Sequence, residues 1–205
     1  SICETDLANG RLRIVYRVAG KGTAEFSRYK TGHRIDVLGT LGNGFPLEKA
    51  KGKRVFLIGG GIGIPPMLSV AKALKNAASV DVIAGYRDKE LFLAEDLSQY
   101  APVHIATEDG SAGTKGTVID AIEAERLKAD VIFACGPMPM LRAIKKYAIE
   151  NGSQAFISLE ERMACGVGVC LGCVVKTRET DHHSHVKNAR ICTDGPVYDA
   201  MDVEI

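Results

Sequence analysis

The sequence predicts an α/β protein: a doubly wound parallel sheet with helices on both faces, a β-like front segment before it and a small cysteine-rich module after it. Three observations predict this. Residues 55–158 alternate short apolar runs with helical stretches and short loops, the rhythm of βαβ units with right-handed crossovers. Residues 11–18, "RLRIVYRV", alternate apolar and polar positions, as a half-buried strand does. From "RMACGVGVCLGC" (162–173) onward the rhythm is lost and Cys, Gly and His become frequent.

In chain order, the strand over 11–18 leads into a turn at "AGKGT" (19–23), a second short strand "IDVLG" (35–39) and a glycine-rich loop "GNGF" (42–45). The chain opens "SICETD" without Met. The stretch ahead of Val55 is too short for a complete small barrel, so further strands are expected upstream. "VFLIG" (55–59) is wholly apolar and ends in glycines, the mark of a strand buried on both faces. A helix is expected from Pro66 to Ala77, a strand at 80–85, a helix near 90–99 and the strand "VHIAT" at 103–107. A helix over 117–127, the strand "VIFAC" at 131–135, a helix over 138–151 and "AFIS" at 155–158 close the series. Three units follow: residues 1–50, 51–158 and 159–205.

Composition is that of a globular chain with a real core, 46% apolar and 25% charged with no Trp. A net charge of +1 without a long basic run gives no reason to expect nucleic acid or an anionic membrane surface as partner. The longest apolar run, "VFLIGGGIGIPPML", is broken by Gly and Pro, so it is no membrane span, and no secretory signal is visible. A cytoplasmic setting is the expectation, where clustered thiols mean metal or catalysis rather than disulfides.

"GGGIGIPPM" (59–67) follows a buried strand and opens a helix. Helix N-terminal amides suit a phosphate, and Gly59, Gly60, Gly61 and Gly63 would let a pyrophosphate approach the backbone. The match to G-x-G-x-x-G is imperfect, because Pro66 stands where the third Gly belongs. The alternative is tight packing, which predicts no response to nicotinamide nucleotides. Arg87 and Asp88 in "GYRDKE" (85–90) and Cys135-Gly136-Pro137 in "ACGPMPM" (134–140) fall at two more strand ends. Cys135 alone reads as a small buried hydrophobe. Together the three turns line one sheet edge, where dinucleotides bind.

Cys165, Cys170 and Cys173 are spaced C-x4-C-x2-C, and Cys192 follows after 18 residues. That is the plant-type spacing for a [2Fe-2S] cluster, in which four thiolates hold two irons. Gly166, Gly168 and Gly172 let the loop wrap a cluster and aim amides at its sulfurs. Zinc is the competing reading, with His182, His183 and His185 of "DHHSH" as further ligands. Cys3 is left over as structural. A nicotinamide nucleotide exchanges two electrons as hydride and the cluster passes one, so a flavin is needed to convert between them. The β-like front is the unassigned region that would hold it.

The order of "VYR", "GKGT", "GNGF", "GGGIGIPPM", "CGPMPM", "SLEERMACGVGVCLGC" and "ICTDGPVY" resembles the electron-transfer subunits of NAD-dependent dihydroorotate dehydrogenases. They are ferredoxin reductase-like flavoproteins with a flavin-binding β-barrel followed by a nucleotide-binding α/β domain. The resemblance implies that 1–50 is the C-terminal part of that barrel, starting at the Ser of an Arg-Pro-x-Ser segment, with the preceding strands absent. It implies FAD at Ser1, Val15, Tyr16, Arg17, Gly22 and Thr23. It implies NAD at Gly59, Gly60, Gly61, Gly63, Gly136 and Pro137, with Cys135 near the flavin–nicotinamide stacking site. The cluster falls to Cys165, Cys170, Cys173 and Cys192. The implied partner is an FMN-containing subunit that oxidises dihydroorotate, in a heterotetramer. NAD over NADP rests on the resemblance, since Arg87 and Asp88 point in opposite directions. Plant-type clusters lie at about −400 mV, and one between two flavins should be tuned upward. The rivals are a reductase subunit serving a sulfite reductase or hydrogenase-type partner, and a zinc-stabilised nucleotide-binding module.

Overall fold

The computed structural model describes residues 1–180 and 185–205. Its front opens with a hairpin of β1 (Ile2–Asp6) and β2 (Arg11–Ile14), paired antiparallel. Asp6 closes the turn by accepting from the Asn9 backbone and side chain. The strand expected over 11–18 is shorter than its pattern, because the pairing carries only as far as Ser1 and Val15. The expected turn at 19–23 instead opens a short helix, α1 (Lys21–Phe26), with Thr23 Oγ1 accepting from the Ala19 and Gly20 amides. Residues 35–39 form no strand: no neighbour offers them a ladder, and Val37 and Leu38 stay exposed.

A 3-10 turn (Leu47–Ala50) leads into β3 (Arg54–Gly60). A second (Gly61–Gly63) opens α2 (Ile64–Leu74), with Pro65 and Pro66 in the first turn, where no amide is needed. Then come β4 (Ser79–Tyr86), α3 (Ala94–Ser98), β5 (Val103–Thr107), β6 (Thr114–Lys115) and α4 (Val118–Ala124). β7 (Val131–Cys135), α5 (Met138–Asn151) and β8 (Gln154–Ser158) complete the alternation. The helix expected at 90–99 is confined to α3, because Leu93 takes a left-handed conformation (φ +63°) and starts it late. The tail supplies β9 (Val174–Lys176), β10 (Asn188–Arg190) and β11 (Val197–Asp199).

The main sheet runs β11-β8-β7-β3-β4-β5-β6. All neighbours in it are parallel except β11, which pairs antiparallel with β8 along its outer edge. The strand order reverses between β3 and β7, which makes their carboxyl ends the switch point of a doubly wound sheet. Alternation along each strand feeds two cores. Val55, Leu57, Val131 and Phe133 face α2 and α3, while Phe56, Ile58, Ile132 and Ile157 face α4 and α5. Burying each such side chain contributes about 1.5–3 kcal/mol. The second core also takes in Cys173, Ile191 and Cys192 from the tail. At the far end of the sheet His104 bridges two carboxylates, with Nε2 2.9 Å from Asp81 and Nδ1 2.6 Å from Glu125. Among the described residues no helix is long and apolar enough to cross a membrane.

Candidate functional site

Two βα turns meet at the switch point, the one after β3 and the one after β7. Gly59 and Cys135 are register partners, so the turns start level and press together. A Cβ on Gly63 would run into the Cys135 carbonyl oxygen, and one on Gly60 would come within 2.6 Å of Met140 Sδ. Gly136 is likewise packed against Met140 and Gly60. Gly61 differs: it has φ +51° and open space around it. Close packing therefore explains Gly59, Gly60, Gly63 and Gly136, while Gly61 leaves the start of α2 open to a ligand. Arg87 and Asp88 follow β4 at the same edge, both exposed, with Asp88 bonded to the Glu90 amide.

A cavity of about 650 Å³ opens beside these turns, within the range of small-molecule sites. Four parts of the chain wall it: Ser1 and Phe45 from the front, Pro66 and Ser69 from α2, Cys135 and Ser158 from the strand ends, and Glu160, Glu161 and Met163 with Pro196 from the tail. Ser1 is fixed there by Oγ donating to the Ile62 carbonyl (2.8 Å) and by paired backbone bonds with Val15. Cys135 and Ser158 are register partners with contacting side chains. Burial pushes the Cys135 thiol up to about 11, so it is a neutral wall of the cavity.

Of the other residues implied for FAD, Val15 packs on the edge of the α2 core, but Tyr16 and Arg17 face solvent. Gly22 and Thr23 lie on α1, and none of these five lines the cavity. Ser158, Glu160 and Glu161 do line it; they stand in the quoted "SLEER" run without an assigned role, because only the end of β8 brings them to the cavity.

The thiols are gathered by two devices. The loop over 165–173 coils through left-handed Gly166, Gly168 and Leu171, which turns the Cys170 amide toward Cys165 Sγ and the Gly172 amide toward Cys170 Sγ, both at 3.4 Å. The β9–β10 hairpin does the rest: Val174 pairs with Arg190, and the Ile191 amide bonds the Cys173 carbonyl. Cys173 and Cys192 are thereby placed side by side at the open end of these paired strands. The Cys170 and Val167 amides, then the Cys170 thiol, hold Cys165 down to about 6. Cys192 is pushed up by burial and by its bond to Cys173. The thiols thus stand as two pairs, the donor set of a two-iron cluster. Among the described residues no group of three or more His, Cys, Asp or Glu is arranged around one metal ion. His182 and His183 lie outside the described residues, and His185 is exposed.

Comparison with known proteins bears on this arrangement directly. Residues 57–146 match the oxidoreductase NAD-binding domain, and residues 160–204 match the iron-sulfur cluster binding domain of dihydroorotate dehydrogenase B. The chain is 45% identical over 208 residues to the dihydroorotate dehydrogenase B (NAD(+)) electron transfer subunit of Bacillus caldolyticus, covering 99% of this chain and 78% of that protein. The Geobacillus kaustophilus subunit matches with the same identity and coverage. Among solved structures, an NADH-dependent reduced ferredoxin-NADP oxidoreductase is similar with a TM-score of 0.86 and 31% identity, over 100% of this chain and 72% of that one. Sequence likeness along nearly the whole length, with the thiol pairs and the nucleotide-type sheet edge both in place, means that the chain belongs to the electron transfer subunits of dihydroorotate dehydrogenase B (NAD(+)).

Proposed function

We propose that this chain is an electron conduit: it takes electrons from a dihydroorotate-oxidising, FMN-containing partner subunit and delivers them to NAD⁺ through a [2Fe-2S] cluster and FAD held by its own residues. When bound, the cluster supplies one-electron transfer, the flavin converts between single electrons and hydride, and the nucleotide accepts the hydride. Cys165, Cys170, Cys173 and Cys192 hold the cluster. The amides on Cys165 Sγ stabilise its thiolate before any iron arrives. Residues 1–50 act as the C-terminal part of a FAD-binding β-barrel, with Ser1, Val15, Tyr16, Arg17, Gly22 and Thr23 toward the flavin. Residues 51–158 take NAD at the glycines of 59–63 and at Gly136 and Pro137, and residues 159–205 form the cluster unit. Cys135 keeps its proton and presents an uncharged thiol to the reacting edge. The working assembly is a cytoplasmic heterotetramer with two catalytic subunits.

One observation carries this reading. The cavity is walled on one side by the switch-point elements Pro66 and Cys135 and on the other by Glu160, Glu161 and Met163, which lead into the thiol loop. A group held there adjoins the nucleotide edge and the thiols alike. The likeness to the ferredoxin-NADP oxidoreductase supports a second reading, a reductase subunit serving another partner.

The test is an anaerobic EPR spectrum after NADH, beside a dithionite-reduced control and the Cys170→Ser variant. We expect a reduced [2Fe-2S] signal in both wild-type samples and none in the variant. A signal with dithionite alone overturns the conduit, and silence throughout hands the thiols to zinc. Reduction of the same cluster by dihydroorotate, once the catalytic subunit is added, separates the first reading from the second.

A further inference from the structure

Among the described residues the Tyr198 hydroxyl is the only buried side-chain polar group without a hydrogen-bond partner. Native structures pair nearly all such groups, because burial without a partner sacrifices the hydrogen bonds that water would have made. Its position is not casual. Tyr198 lies at the centre of β11 opposite Ile157, so the sheet fixes its backbone. Its ring packs on the core that contains Cys173, Ile191 and Cys192. Gly195 lies against the ring so closely that a Cβ there would come 2.6 Å from Oη and 2.5 Å from Cε2. Burial first, then the charges of Asp194, Cys173 and Cys192, raise its pKa, so the hydroxyl keeps its proton.

The nearby carboxylate is already engaged. Asp194 accepts from the Arg190 amide (2.8 Å), from Arg190 Nε (3.0 Å) and Nη2 (3.1 Å) and from Thr193 Oγ1 (3.1 Å). The charges of Cys173 and Cys192 act on the hydroxyl beside that of Asp194, so the buried thiol pair shares this corner, and with the carboxylate engaged a group held by that pair is an acceptor the hydroxyl can serve.

We propose that Tyr198 donates its hydroxyl hydrogen to a sulfur of the Cys173–Cys192 half of the cluster, a thiolate or an inorganic sulfide, and so sets the cluster potential upward. The inference rests on the cluster reading above. Reduction adds one electron and one negative charge to the cluster. No covalent bond breaks and no proton leaves Tyr198. A hydrogen bond strengthens as its acceptor gains charge, so the donor favours the reduced form, and hydrogen bonds to the sulfurs are among the terms that set such potentials.

Tyr198→Phe keeps the ring and its packing and removes only the hydroxyl. In an EPR-monitored redox titration it should retain the wild-type iron content and shift the reduced-to-oxidised ratio about tenfold toward oxidised, a midpoint about 59 mV lower for one electron. Replacement of Tyr198 by 3-fluorotyrosine, which keeps the hydroxyl and makes it a stronger donor, should move the midpoint the other way. A wild-type midpoint in iron-replete Tyr198→Phe overturns the proposal. Should Tyr198→Phe fail to load iron, an unmoved midpoint in the fluorinated protein overturns it instead. Wild-type protein without any reduced-cluster signal removes the reading beneath it, which is a different failure.

Discussion

A thiol is a nucleophile and a metal ligand only as the thiolate, and the surroundings of each cysteine here decide which form it takes. Cys165, exposed to several amides, is held down to about 6, whereas burial pushes Cys135 up to about 11 and also raises Cys3. In metal-free protein, iodoacetamide at pH 7 should therefore modify Cys165 well before Cys135 and Cys3, with a rate that titrates near 6. Peptide mass spectrometry of a timed reaction checks this, and equal rates at the three sites would contradict the ligand-loop geometry. The four candidate ligands stand out in the sequence because three of them share one short loop and their spacing is itself the signal. Tyr198 was quoted within a motif yet had no visible role, because its position depends on a strand pairing between distant segments. Ser158, also within a quoted motif, had no visible role for the same reason.

Among the elements, the pair of βα turns at the switch point is packed without room for a side chain at Gly59, Gly60, Gly63 or Gly136. Gly63→Ala would drive a methyl into the Cys135 carbonyl, and overpacking of this kind costs about 1–3 kcal/mol. Gly61→Ala meets no atom and pays only for its left-handed backbone, about 1–2 kcal/mol. Urea unfolding should rank Gly63→Ala as the less stable, while Gly61→Ala, at the open start of α2, should show the larger loss of NADH affinity relative to its loss of stability. The strands of the parallel sheet were legible because burial on both faces writes continuous apolar runs. The short elements were not. β1, β6, β9, β10 and β11 are held by their partners rather than by pattern. The run at 35–39 has the pattern of a strand and no partner, so it forms none.

For the molecule as a whole, the His104 bridge couples stability to pH. Burial alone would lower its pKa, but hydrogen bonds to Asp81 and Glu125 outweigh this and leave it raised above 6.5. A raised histidine stabilises the fold fully below its unfolded value, and that contribution is lost as pH rises through the folded one. Wild type should exceed His104→Gln by about 1 kcal/mol at pH 6, discounted because Glu125 is partly in solvent, and the gap should close toward pH 9. Urea unfolding of both proteins at the two pH values measures it, and a gap that widens with pH would show that the imidazole is neutral in the fold.

The pairing of β11 with β8 reaches beyond architecture. A bare strand edge recruits other chains and seeds aggregation, and the edge of β8 is covered by residues that follow closely on Cys192. The tail that carries the thiols thus also supplies the shield that keeps one molecule from joining the next. Damage that loosens this segment would uncover that edge, so clumping of the protein would accompany the loss of electron transfer.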